Sequence, residues 1–571
     1  MTDENWYLGL DFGTNGLSAV LWKVGGEEEY SIYWLSEKEE DKEKFHFRLA
    51  TVAYYGLKRG QIQPSFRFPF AISPEGGLSP LSSETASISQ DSVGIWLENF
   101  KPLLQITLPY YDSQERQWQP KLKMLSEKAV SLYLIQRGLQ GMFALLTPEN
   151  VGQKIGGVGL SEDALRGALK RLEGVIISCP AGWNDAYRFN VREALLGAKL
   201  VSQPQQIYFV ESAIASWLGY ISTDSSSSGY TLIIHAGSAT TELALVTESE
   251  ETLNYTDFTL GSLSYGGNGI NEDIFWQLLY PQWSQYQESL ANLEVEVPFS
   301  GQPDLQRRIS AYWKLMQHPL GKSALKASQL VKQVLTYREE FSSTVGSYSW
   351  KVQQQDLEVR VISPFIEQIN QQLNHIVSQA GVSEGAITRV MLTGGTITTI
   401  LPSLKAWLQQ KLVNAELIQP ENLTLQTVRG LAQIPRFPQV LNLPQHQYSD
   451  YFLLSELLAC LPDTPVTVAE VMHLLQLRGI NPVAGRDRVL AFLSGELPSG
   501  LIPTETDFLM LSDSSQTNLL YQELVAAPLF VKEGTRGYRL NLQQQERLRQ
   551  YLSKILAGTA QKLDEPLSVN L

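Results

Sequence analysis

The stretch from Leu8 to Trp22, LGLDFGTNGLSAVLW, constrains the fold of this chain more than any other. Leu8, Leu10 and Phe12 alternate with small or polar residues; Gly13, Thr14, Asn15 and Gly16 turn the chain, and Leu17 to Trp22 returns as a second β-rich run. The pattern predicts a hairpin, not a strand feeding a helix. Glycines at a tight turn let backbone approach a ligand, and consecutive N–H groups facing one way bind anionic oxygens. Thr14 adds a hydroxyl. Asp11, at the strand end, is placed to hold a hydrated divalent cation. The same residues also suit an ordinary hairpin in which Asp caps the turn and Gly supplies positive φ. What favours the phosphate reading is a second copy, Tyr230 to Val246, YTLIIHAGSATTELALV, again strand, small-residue turn and strand. Two such hairpins predict two lobes, each offering a turn to one nucleotide.

With 571 residues, 43% of them apolar and 18% charged, the chain has material for more than one core. Its net charge of −14 and pI near 5.1 disfavour a general affinity for nucleic acid or anionic membranes. Cys179 and Cys460 lie far apart in apolar segments and make neither a disulfide framework nor a metal cluster. An acidic start that enters a strand directly, and no apolar run of spanning length, lead us to expect a cytoplasmic protein.

Further strands are expected at Tyr30–Leu35 and Leu49–Tyr55, and an amphipathic helix at Leu125–Leu146. The charged run SEKEEDKEK reads as a solvated loop. A β-branched strand, Val175–Ser178, stops at Cys179-Pro180, and Asn184-Asp185 opens the next helix as a capping pair. Another strand, Ile207–Val210, delivers Glu211 to the start of a helix running to Tyr220. The crossing between lobes is placed in Thr223 to Gly229. Later come a glycine turn at Gly266-Gly267, a helix Ala324–Tyr337 with Gln329, Lys332, Gln333 and Thr336 on one face, and Gly394-Gly395 after a buried-type strand.

In this order the two hairpins, VIISCPAGWNDAYRFNVREALLGAKL, FVESAIASWLGY and MLTGGTITTILPSLKAWL resemble the seventy-kilodalton heat-shock chaperones of the DnaK type, members of the actin-like ATPase superfamily. The resemblance covers roughly the first 440 residues. It implies an α/β chain with a two-lobed actin-like ATPase fold: lobe I at 1–229, lobe II at 230–447 with a closing helix (Val428–Ala432) returning to lobe I, and a small mostly helical domain at 448–571. It implies ATP or ADP with Mg2+ as cofactors. Asp11 would hold the metal, Glu211 would reach it through water, and Lys101 would address the γ-phosphate. Gly13, Thr14 and Asn15 in the first turn, and Gly237, Ser238, Thr240 and Glu242 in the second, would surround the phosphates. Gly266 and Gly267 would follow them, while Gln329, Lys332, Gln333 and Thr336 would hold the adenosine. Gly394, Gly395, Thr396 and Thr398 would lie beside the base, where the family's stacking arginine is missing, and Glu421 would stand near the nucleotide. Pro180, Asn184 and Arg188 match a segment that relays nucleotide state to partner surfaces.

The second hairpin departs from the family pattern. His235 stands where a carboxylate is expected, and two of three glycines are replaced. An imidazole near neutral pH does not replace a carboxylate as an acceptor for magnesium-bound waters, and a protonated one repels the cation. The expectation is therefore a divergent chaperone-like protein that binds nucleotide with weak or absent hydrolysis and regulates protein contacts. The alternatives are a non-catalytic scaffold that keeps the fold and, less favoured because of the segment Pro180 to Tyr220, a sugar kinase. Beyond residue 447 no regular β-sandwich is visible. Asp450–Leu454 faintly echoes a linker; helices at Val466–Arg478 and Asp487–Leu493, a hairpin at Leu529–Leu540 and a helix at Gln543–Leu556 are compatible with a winged-helix module. Without a basic recognition helix, a protein partner or client is expected rather than nucleic acid, and no membrane contact.

Overall fold

The computed structural model describes residues 5–26, 28–35, 45–56, 61–64, 94–105, 121–123, 129–221, 229–247, 253–283, 293–420, 422–423, 425–442, 448–498, 501, 509–534 and 537–561. It is a mixed α/β structure built around two sheets of matching order. In the first, β1 (Trp6–Phe12), β2 (Leu17–Lys23) and β3 (Glu29–Leu35) form an antiparallel meander, and β4 (Leu172–Cys179) and β5 (Ile207–Glu211) add parallel to β1 on its other side. In the second, β6 (Tyr230–Ala236), β7 (Thr241–Thr247) and β8 (Phe258–Leu263) form the meander, and β9 (Ile387–Thr393) and β10 (Glu416–Ile418) add parallel to β6. The order in each sheet is third, second, first, fourth, fifth.

The central strands are apolar on both faces because both faces are covered. Alternate side chains go to different cores, as a period of two requires. Leu8, Leu10 and Phe12 of β1 enter one core with Leu139 and Phe143; Leu232, Ile234 and Ala236 of β6 enter another with Ile369 and Leu373. Tyr7 and Ile233, one residue out of phase, meet in a third core shared by both sheets. Two helices fill that shared layer: α1 (Ser212–Leu218) and α2 (Gln426–Gln433). They cross at glycines. A Cβ on Gly430 would lie 2.7 Å from the Gly219 nitrogen and closer still to the Ala215 carbonyl oxygen.

Several expected elements shift. The strand expected at Leu49 begins at Val52, and Leu49 makes only an isolated bridge to Leu17. The helix expected from Leu125 begins at Leu132, because Ala129–Ser131 pairs with Lys121–Lys123 and the Ser131 side chain caps the helix by accepting from the Tyr133 amide. Of the lobe crossing expected in Thr223 to Gly229 all but Gly229 lies outside the described residues, as does the charged run Ser36 to Lys44.

The C-terminal residues make a separate core around Leu453, Leu457, Val489 and Leu548. Asp450–Cys460 is a buried helix rather than a linker, with Ser449 as its cap. Val466–Thr467 forms a strand before the helix Val468–Leu477, and pairs with the returning hairpin Phe530–Glu533 and Gly537–Leu540. This unit packs on the helix Asp185–Gly197: Phe189 joins its core, Asp185 accepts the Asp450 amide at 3.0 Å, and Glu193 accepts the amides of Ala560 and Gln561 at 2.8 Å. No described helix is long and apolar enough to cross a membrane.

Candidate functional site

The two turns are built alike. In the first the Gly13 N–H donates to the Gly16 carbonyl at 2.8 Å; in the second the Gly237 N–H donates to the Thr240 carbonyl, also at 2.8 Å. Asp11 and His235 occupy equivalent places, each two residues before that glycine, with Ser18 and Glu242 as their cross-strand neighbours. The two lie near enough for the Asp11 carboxylate to act electrostatically on His235.

Around the first turn, Asp11 is fully engaged. Its Oδ1 accepts from the Ser178 hydroxyl at 2.9 Å and its Oδ2 from Arg48 Nη1 at 3.2 Å. Thr14 is buried and Asn15 exposed at the tip. Lys101 is not presented to the cleft as a mobile cation: only 5% exposed, its ammonium donates to the Phe12 carbonyl and lies 5.3–5.6 Å from the rings of Phe12, Trp183 and Tyr187. Burial pulls its pKa down, with Asp11 opposing. The expected role at the γ-phosphate is replaced here by a grip on the end of β1.

Around the second turn, His235 Nδ1 lies 3.2 Å from the Ser216 hydroxyl, which in turn lies 2.8 Å from Thr427 Oγ1. The histidine is thus tied to the crossing of α1 and α2. Burial pushes it down to about 4, so it is neutral at physiological pH. Gly266 and Gly267 pack on this turn: the Gly267 and Asn268 amides donate to the Gly237 and Ser238 carbonyls at 3.0 and 2.8 Å. A Cβ on Gly267 would come 2.7 Å from Thr396 Oγ1. Thr396 itself donates to the Gly237 carbonyl at 2.8 Å, and Lys332 Nζ to the Gly267 carbonyl at 3.0 Å. Gly394, with φ of 92°, lets the chain pass Ala236. These residues therefore converge on one turn, with Ser238 half-buried and Thr240 buried.

The remaining candidates are more peripheral. Gln329, Gln333 and Thr336 are half-buried on the helix Gly321–Val334 and its end, Thr336 donating to the Lys332 carbonyl at 3.0 Å. Thr398 is exposed and donates to the Gly395 carbonyl at 3.0 Å. Glu421 lies outside the described residues.

Glu211 and Glu242 sit apart from Asp11's hydrogen bonds. Glu211 accepts from the Tyr255 hydroxyl at 3.1 Å, and burial raises its pKa. Glu242 accepts from the Ala181 amide at 3.2 Å with Oε2, and the Ser212 hydroxyl also bonds the carboxylate. Burial pushes it up to about 7. A cavity of about 400 Å³ opens beside Glu211, walled by Pro180, Arg188, Tyr255, Gln372 and His375; no residue of either turn lines it. Arg188 is paired with Asp185 at 3.3 Å, so the helix Asp185–Gly197 joins this cavity to the C-terminal unit. Asn184 caps that helix, accepting from the Tyr187 amide at 3.2 Å.

The donor chemistry does not fit magnesium. Asp11, the one carboxylate at the first turn, faces a guanidinium; its expected counterpart is a neutral histidine, and Glu242 carries a proton over much of the neutral range. Among the described residues no three His, Cys, Asp or Glu side chains come together as metal ligands. Arg48, Ser178, Ser216, Thr427 and Tyr255 all escape the sequence reading. For Arg48 the only available signal is a lone cation in the run FHFRLA.

Glu242 yields a pH prediction. Its folded pKa is raised, so it stabilises the fold fully below its ordinary value of 4.5, and that contribution is lost as pH rises toward about 7. Glu242→Gln, which cannot ionise, is expected to be more stable than the parent at pH 8 by a few kcal/mol, on the order of the shift. Urea midpoints taken across that range should show a flatter profile for the variant. A parallel profile would mean that Glu242 titrates normally.

No protein-family model matches the chain, and no curated protein matches it.

Proposed function

We propose that this chain is a two-lobed, actin-like nucleotide-binding protein. It holds the phosphates of ATP or ADP between its two β-turns, hydrolyses them weakly or not at all, and uses its C-terminal unit for contacts with another protein. The observation that carries the reading is the pairing of two equivalent strand-turn-strand units, each closed by the same glycine hydrogen bond, with Asp11 and His235 at equivalent places and within electrostatic reach of each other. A backbone turn that exposes successive N–H groups suits phosphate oxygens. Lys332, Thr396 and the pair Gly266-Gly267 supply the adjoining wall.

Turnover requires more than binding. Phosphoryl transfer rests on positioned water and on charges that neutralise the transferring group. Here Lys101 is committed to the Phe12 carbonyl, Asp11 to Arg48 and Ser178, and a neutral His235 to Ser216. The C-terminal unit begins helix, strand, two helices (Val468–Leu477 and Pro482–Leu493), then adds the short helices Asp513–Gln516 and Leu519–Val525 before the hairpin and the helix Leu542–Leu556; its first strand pairing with that hairpin supports a winged-helix-like module. Arg488 of the helix Pro482–Leu493 turns inward to Asp450 at 3.1 Å and to the Tyr448 carbonyl, which favours a protein partner over nucleic acid.

The test is calorimetric titration with ATP, ADP and GTP beside a phosphate-release assay. Saturable binding of ATP and ADP without steady release of phosphate is expected. The scaffold reading gains from one observation, the placement of Arg48 against the first turn; absence of heat with every nucleotide would select it.

A further inference from the structure

Arg48 stands against the first turn, beside Asp11, and the fold holds it there. Its Nη1 donates to Asp11 Oδ2 at 3.2 Å and reaches Ser18 Oγ at 3.4 Å. A Cβ on Gly13 would lie 2.5 Å from Arg48 Nη2, and one on Gly16 would lie 2.8 Å from its Cγ, so both glycines are needed to seat the side chain. The segment around it is pinned to the hairpin. Leu17 and Leu49 exchange backbone hydrogen bonds of 2.7 and 2.8 Å, and Thr51 Oγ1 donates to the Gly13 carbonyl at 2.8 Å. The Arg48 side chain is one-third exposed while its head is held by Asp11.

The charges around it explain the arrangement. An unpaired Asp11 at the first turn would repel a polyphosphate, and a divalent ion is one way to reverse its sign. A guanidinium is another. It is permanently charged, and its planar fork offers donors along two edges, one for Asp11 and one for an incoming oxyanion. At the place equivalent to Asp11 the second turn carries a neutral His235 rather than a carboxylate. A magnesium ion would have to displace Arg48 from Asp11, and would find a repelling cation beside it.

We infer that Arg48 takes the place of the divalent cation at the first turn, so that this protein binds the phosphates of its nucleotide without magnesium. The inference rests on the nucleotide-binding reading above. It makes binding insensitive to chelators and leaves the site without the divalent ion that bridges the phosphates in phosphoryl transfer, in keeping with weak turnover.

The experiment is calorimetric titration of the full chain with ATP in EDTA and, separately, in magnesium chloride, for the parent protein, Arg48→Gln and Arg48→Lys, with thermal melts to confirm that each is folded. The parent is expected to bind equally, within about two-fold, in both buffers. Arg48→Gln should bind about ten-fold or more weakly in EDTA, as expected for loss of a charge-assisted hydrogen bond, and Arg48→Lys should fall between. Parent binding that appears only with magnesium would overturn the inference while leaving the nucleotide reading intact. Equal affinities for parent and Arg48→Gln in EDTA would also overturn it. No ATP binding in either buffer would overturn both.

Discussion

Gly430→Val is expected to destabilise the protein by about 3 kcal/mol or more, at the upper end of what overpacking costs. The new Cβ would sit 2.7 Å from the Gly219 nitrogen and nearer still to the Ala215 carbonyl oxygen. Those atoms are backbone, which no rotamer change can move aside. Helix propensity argues the other way, since glycine inside a helix costs about 1 kcal/mol relative to alanine. The steric term is larger because α1 and α2 would have to separate, and with them the layer in which Tyr7, Ile176, Ile233 and Met391 pack. Gly430→Ala is expected to fail in the same direction, despite its better propensity. Urea denaturation followed by tryptophan fluorescence reads the effect: a midpoint unchanged or raised in Gly430→Ala would show that the two helices do not cross as closely as described.

Arg308→Met should cost about 3–5 kcal/mol, the range for stranding a buried charge. Arg308 holds Asp273 with two hydrogen bonds of 2.9 and 3.1 Å and Glu272 at 3.4 Å, and all but a trace of both the arginine and Asp273 is out of solvent. Asp273 also accepts from the Tyr265 hydroxyl and the Gly301 amide, each at 2.7 Å. Removing the guanidinium leaves those donors in place but leaves the charge uncompensated. Burial already pushes Glu272 up to about 7 even with the arginine present. The double variant Arg308→Met with Asp273→Asn is expected to lose less than the sum of its parts, because the two residues act as one unit. Strict additivity in that cycle would refute the pairing. The consequence reaches the site, since Tyr265, whose carbonyl accepts from Thr241 at 2.8 Å, links this cluster to the second turn.

The parts of this architecture that can be read from sequence are those with local causes. Both hairpins announce themselves through alternation around small-residue turns, and Asn184 through its place before a helix. The segment DYFLLSELLAC misleads for a physical reason: its buried residues, Tyr451 to Leu454, Leu457 and Leu458, spread around most of the helix and leave only a narrow exposed strip at Ser455 and Ala459, so no distinct apolar face shows. The short strand Val466–Thr467 has too few residues to display a period. At the site, the sequence flags His235 as the departure but not what holds it, since Ser216 comes from a helix 19 residues earlier and Thr427, which meets Ser216, from one 211 residues beyond it. Arg48 is hidden in the same way: it reaches Asp11 across 37 residues, through a bridge between Leu17 and Leu49 that neither residue's identity signals. Lys101 shows the limit of a resemblance, which locates a residue but not the direction of its ammonium. Its aromatic surroundings, Phe12, Trp183 and Tyr187, are set by tertiary packing.

Hydrogen–deuterium exchange with and without ATP, read on peptides that span Phe12–Leu17 and Ala236–Thr241, tests the central claim most directly. If one polyphosphate bridges both bends, the amides of the two peptides become protected together and at the same ATP concentration. Protection confined to one bend, or to the walls of the Glu211 cavity alone, would contradict it.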